Sequence, residues 1–150
     1  MRKNLLNTAI IMVGFGFFCI MNTFILTPIA FADDINIIAN PNLSIDSLSK
    51  HELKNIYLGK KTKWNDGNRI IFVIYESGDV HEKFLKMYIG KSVSQFNNYW
   101  KRIVFTGKGK FPRKFNNENE LLTFIDETPN AIGYVGNNTV LDIARVLSVN

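Results

Sequence analysis

Cysteine is nearly absent from this 150-residue chain, and histidine is scarce: one cysteine, Cys19, and two histidines, His51 and His81. So few thiol and imidazole groups exclude a disulfide framework and a zinc cluster of the usual ligand spacing. A Gly-x-Ser-x-Gly elbow and a Gly-rich Walker loop are missing as well, which removes two common routes to hydrolase and nucleotide chemistry. No carboxylate pair stands apart from helix caps and surface charges, so no enzyme and no cofactor is expected. Internal repeats and low-complexity tracts are also lacking.

What is present begins with the N-terminus. Arg2 and Lys3 form a short positive segment, and Leu5 to Leu26 is apolar but for Asn7, Thr8, Asn22 and Thr23. Ala30-Phe31-Ala32 places small residues where a signal peptidase reads them, and Asp33-Asp34 follows. This order predicts a signal peptide over residues 1–32, cleaved after Ala32, and a periplasmic or secreted protein. The alternative is an uncleaved inner-membrane anchor over residues 5–26, since the run is long enough to span a bilayer. Membrane attachment is expected only in that form.

Cleavage removes Cys19, Arg2 and Lys3, leaves 118 residues and lowers the formal charge from +5 to +3. The mature chain then carries no thiol chemistry. It is long enough for one core without staples and too short for two lobes of ordinary size, so residues 33–150 are read as one domain. So mild a positive balance permits anionic ligands without implying nucleic acid.

Along that domain, Ile35 to Ala39 reads as a strand closed by the Asn40-Pro41-Asn42 turn. Ser49 and Glu52 have capping-box spacing and start a helix carrying Leu53, Ile56 and Tyr57, with Gly59 as its left-handed end. Arg69 to Tyr75 is apolar on nearly every residue, as in a strand covered on both faces. Asp79 and Glu82 suggest the cap of a second helix, closed by Gly90. A third follows Ser92 or Ser94, with Phe96, Tyr99, Trp100, Ile103 and Val104 on one stripe. Residues 106–115 read as a loop. Asn117 and Glu120 cap a fourth helix that ends at Thr128-Pro129, and Ala131 to Val135 and Ile143 to Val149 complete the strands. The order β-α-β-α-α-α-β-β predicts an α/β domain with a mixed, mostly parallel sheet and helices on both faces.

Four segments resemble the phosphate-binding proteins of ABC importers. Asn55 to Gly67 is similar to that family's "IF-x-G-K-x-T-x-W-x-D" stretch, and Ile38 to Leu43 to its "VNPxNP" strand and turn. Ser77-Gly78 falls where the family has a Ser-Gly-Thr phosphate loop, and Thr128 to Val135 resembles "xPGAIGYV". They follow the family's order and span nearly the whole mature chain. The resemblance implies one lobe of a type II periplasmic-binding-protein fold, with no room for the second lobe that completes the ligand clamp.

It also implies an oxyanion site at Ser77, Gly78 and Asp79, with His81 near enough to meet an anion when protonated. Ser77-Gly78 is otherwise a plain strand-to-helix turn, Asp79 a helix N-cap and His81 a surface histidine. The family's arginine position falls on Val73 and its threonine on Asp79, and Glu76 adds a second acid. At about 4 Å each like-charge repulsion costs on the order of 1 kcal/mol in water, against about 0.3–1 kcal/mol from a helix end. Weak phosphate binding at most is therefore expected.

Lys108, Lys110, Arg113 and Lys114 form a basic loop, either a dock for an acidic group or a solvated surface, and Lys60, Lys61 and Lys63 form a second basic turn. Trp64 and Trp100 are expected to be structural. Two functions follow: a periplasmic solute-binding-like protein related to phosphate transport, with a membrane transporter or sensor as partner, or an interaction scaffold that has kept one lobe without a small ligand.

Overall fold

A computed structural model describes residues 35–139 and 141–150. The expected signal segment and its cleavage site lie outside them. Six strands form one sheet: β1 (Ile35–Ala39), β2 (Ser47–Leu48), β3 (Ile71–Tyr75), β4 (Arg113–Phe115), β5 (Ala131–Gly136) and β6 (Arg145–Val149). Their order is β2-β6-β1-β5-β3-β4. Strand β1 runs antiparallel to both neighbours, and every other pair is parallel. The fold class is the expected mixed, mostly parallel α/β sheet.

Local sequence explains the helices. In α1 (Lys50–Tyr57) the Ser49 hydroxyl accepts from the Glu52 amide, and the Glu52 carboxylate accepts from the Ser49 amide. Lys61 adds an ion pair to Glu52 at 2.8 Å. The Lys61 ammonium and the Ser49 donors hold this carboxyl down at about 2, against an ordinary 4.5. Helix α3 (Val93–Phe105) starts on the same box, made by Ser92 and Gln95. Helix α4 (Glu118–Glu127) is capped by Asn117.

Helix α2 (Gly78–Phe84) runs on into a π-helical stretch, Leu85–Ile89, closed by left-handed Gly90. The Gly90 amide bonds back to the Leu85 carbonyl.

The helices cover the two faces unequally. Tyr134 of β5 turns toward α1 and α2. Its ring stacks on Phe84 at 3.7 Å between centroids and lies 5.7 Å from Tyr57. Gly133 faces the other way, where a Cβ would stand 3.3 Å from Ile125 of α4. Tyr57 carries its hydroxyl into the sheet and donates to the Val73 carbonyl.

The left-handed Asn130 (φ 63°) marks the entry to β5, and three of the resembling segments meet around it. Its carbonyl accepts from the Ile71 amide and the Trp64 indole, both at 3.2 Å. The next carbonyl, of Ala131, accepts from the Asn40 amide. Asn40 is buried, and its Nδ2 donates to the Ile125 and Asp126 carbonyls at 3.0 and 2.7 Å. Those are carbonyls at the end of α4, which the helix itself leaves unpaired.

Several elements depart from the sequence reading. Strands β2 and β4 were not anticipated, because two or three residues are too short to show a period. Arg113 and Lys114 therefore lie on an edge strand, not a loop. Strand β3 starts at Ile71, which is exposed, so the run is not covered throughout. Val104 is off the buried stripe of α3, and Phe105 after it is 92% exposed. The last strand begins at Arg145, not Ile143.

Replacing Asn40 by alanine removes two buried donors and orphans two carbonyls. The expected loss is about 2–4 kcal/mol, read as a lower urea midpoint at unchanged slope. A loss under about 0.5 kcal/mol would show that this side chain does not hold α4 to β1.

Candidate functional site

Strands β3, β4 and β5 run parallel, so their C-terminal ends share one edge of the sheet. Helices α2 and α4 both start there, and that edge is where open α/β sheets bind ligands. A hollow of about 430 Å³ occupies it, walled by Ser77, Asp79 and Lys83 on one side, Glu118 on another, and the Gly136 to Thr139 turn.

Ser77 is the N-cap residue by position, yet its side chain accepts no bond from the first turn. The opening N–H groups of a helix have no partner within it, so Gly78, Asp79 and Val80 present donors at this edge. Gly78 has φ +31°, a conformation side-chain-bearing residues rarely adopt, and a Cβ there would meet nothing within 4 Å. Backbone geometry, not crowding, requires the glycine.

Asp79 is thus not the N-cap. It sits in the first turn, largely exposed, and pairs with Lys83 at 3.3 Å. Glu76 does not line the hollow; it pairs with Lys114 at 2.6 Å. The second acid of the site is Glu118, which the sequence reading missed. Its Oε1 is buried and has no hydrogen-bond partner among the described residues. No local signal could have found it, because Glu118 reaches the edge only through the crossover from β4.

His81 is not a surface group either. It is buried, with Nδ1 at 2.6 Å from the Tyr134 hydroxyl and its ring parallel to Tyr134. The Tyr134 hydroxyl in turn reaches the Tyr75 carbonyl. Burial pushes the imidazole below its ordinary 6.5; Glu76 opposes this shift and Lys114 reinforces it. His81 belongs to the core and does not line the hollow.

The four-cation loop separates into two pairs. The Arg113 guanidinium lies over Phe115 and Phe124, at 4.7 and 4.6 Å from the ring centroids, and Lys114 is held by Glu76. Lys108 and Lys110 stand elsewhere, beside Lys60 and Lys61. Both tryptophans are buried, Trp64 bonded to Asn130 and Trp100 to the Tyr57 carbonyl. Among the described residues, no group of three His, Cys, Asp or Glu side chains is placed to share a metal ion.

Solved structures match this α/β lobe in fold. A phosphate ABC transporter substrate-binding protein of Clostridium perfringens, solved with bound phosphate, superposes with a TM-score of 0.60 at 20% identity, over 77% of this chain and 44% of its own. PstS of Borrelia burgdorferi gives 0.56 at 20% identity, over 78% and 47%. An ABC-type phosphate transport receptor of Vibrio cholerae gives 0.53 at 16%, over 77% and 46%. No protein-family model matches the sequence, and no curated protein does. The fold is that of one lobe of these phosphate ABC transporter substrate-binding proteins, and the chain spans under half the length of each. These neighbours are binding proteins rather than enzymes. No helix among the described residues is long and apolar enough to cross a membrane.

The unfolded imidazole of His81 takes up a proton near 6.5, and the folded one only at lower pH. The unfolded state therefore binds more protons below about 6.5, and stability falls as pH drops through that window. Urea unfolding at pH 7.5 and 5.5 should show this slope, and His81→Gln should flatten it. An unchanged slope in the variant would contradict a buried neutral His81.

Proposed function

We propose that this protein is a solute-binding-like protein of the cell exterior, exported by a signal peptide over residues 1–32. It holds an oxyanion weakly in the hollow at Ser77. It is not an enzyme in this reading, and its partner is a membrane transporter or sensor. The observation that carries the reading is the hollow itself, which keeps the open first turn of α2 and the Ser77 hydroxyl at the ligand edge of the sheet.

Weakness follows from charge. Asp79 and Glu118 both line the hollow, and only Asp79 has a cation paired with it in the hollow wall, Lys83. The uncapped N–H groups contribute about as much attraction as one like charge at about 4 Å removes in water. The Glu118 carboxylate in the hollow wall also selects among oxyanions. It can accept from the O–H that hydrogen phosphate carries at neutral pH and sulfate lacks. A site built to accept such a bond rejects the ligand without it.

A second reading is favoured by the same two carboxylates. The lobe serves as an interaction scaffold, with the hollow closed to anions and a second copy or a membrane protein as partner.

Calorimetry with phosphate, sulfate and polyphosphate separates the two. The first reading expects phosphate binding in the millimolar range, weaker sulfate binding, and loss of phosphate binding in Ser77→Ala. Glu118→Gln should raise sulfate affinity roughly five- to tenfold by removing one nearby charge. No heat with any anion, together with a concentration-dependent dimer, would establish the scaffold instead.

A further inference from the structure

A second hollow, of about 390 Å³, opens at the other end of β3. It lies about 17 Å from Ser77, taking some five residues at the strand rise. Its chemistry is the reverse of the first. No acidic residue lines it, while Lys60, Arg69, Lys108 and Lys110 do, from three separate stretches of chain. Among the described residues no carboxylate pairs with any of the four, since the ion pairs formed there use Lys61, Lys83, Lys114 and Arg145.

The floor is apolar. Phe72, half-buried on β3, and Ile103 and Trp100 of α3 form it. Phe72 and Trp100 lie 5.7 Å apart between ring centroids, and the Trp100 indole is fixed by its bond to Tyr57. The rim is fixed too. A Cβ on Gly59 would stand 3.0 Å from Trp100 Cη2, and one on Gly109 would stand 3.0 Å from Ile103 Cγ2. Both basic turns therefore lie close against the floor at a glycine. The Lys108 amide is tied to the Ile103 carbonyl at 3.0 Å, which positions one cation from the helix end.

Four exposed cations without a carboxylate partner among the described residues, set around an apolar floor, give this hollow a positive potential that an anion would match. The volume lies within the range of small-ligand sites. Inorganic phosphate would leave the floor uncovered, and a neutral apolar molecule would leave the cations unmatched. From the convergence of these two basic turns over Phe72, Trp100 and Ile103, we infer a second binding site, for an organic anion that carries a phosphate or carboxylate on a compact apolar body. A free small molecule and the headgroup region of an anionic phospholipid share this chemistry.

The test is an amide-resolved NMR titration of the full chain with phenyl phosphate, inorganic phosphate and benzyl alcohol. Phenyl phosphate should shift Gly59, Thr62 and Gly109 saturably, at least tenfold more tightly than either other probe. The double variant Lys108→Glu, Lys110→Glu should weaken it at least tenfold with an unchanged melting temperature. Ser77→Ala should leave it unaffected, which separates this site from the one at the opposite edge. Vesicles of phosphatidylglycerol that compete with phenyl phosphate would identify lipid as the source; vesicles without effect would identify a free ligand. Equal affinity for phenyl and inorganic phosphate, shifts spread over all surface lysines, or vesicle binding without phenyl phosphate binding would overturn the inference.

Discussion

The fold depends on one junction, where the left-handed Asn130 turns the chain from α4 into β5. Asn40 ties the end of α4 to β1 from one side, and Trp64 and the first residue of β3 bond to the Asn130 carbonyl from the other. Stretches of chain separated by up to 90 residues of sequence thus meet through buried and part-buried hydrogen bonds. A buried amide with unmet partners is costly, so each group here holds the others in place. The reversed strand β1 is part of the same constraint, since its end at Ala39 delivers Asn40 to the helix terminus.

This junction separates structure from ligand chemistry. Segments 38–43, 55–67 and 128–135, which carry most of the family resemblance, gather at the entry to β3 and β5. The Ser77 turn, where we propose the oxyanion site, stands at the exit of those strands. Retaining the first group preserves the lobe whatever happens at the second. That is how a chain can keep the fold of a phosphate-binding lobe while two carboxylates, Asp79 and Glu118, line the hollow.

Much of the fold was legible because its signals are local. The box at Ser49, the cap at Asn117, the stop at Gly90 and the apolar run ending at Tyr75 all act within a few residues. Strands β2 and β4 were not legible, since they exist only as partners of β6 and β3. Four site residues were misread for the same reason. Asp79 has capping spacing, but the chain enters the helix two residues earlier, at Ser77. His81 lies one turn further on, and the turn faces it inward to Tyr134 rather than outward to a ligand. Lys108 and Lys110 were grouped with Arg113 and Lys114 by sequence, while the fold groups them with Lys60 across α3. Spacing reports which residues share a helix turn; only the crossovers decide which turns share an edge.

Native-state hydrogen exchange measures this division directly. The amides of Asn40 and Ile71, both bonded at the Asn130 junction, should exchange only through global unfolding. Those of Gly78, Asp79 and Val80 should exchange with little protection, as donors left open at the ligand edge. Strong protection at 78–80, or early opening at Asn40 and Ile71, would contradict an architecture held at one end of the sheet and open at the other.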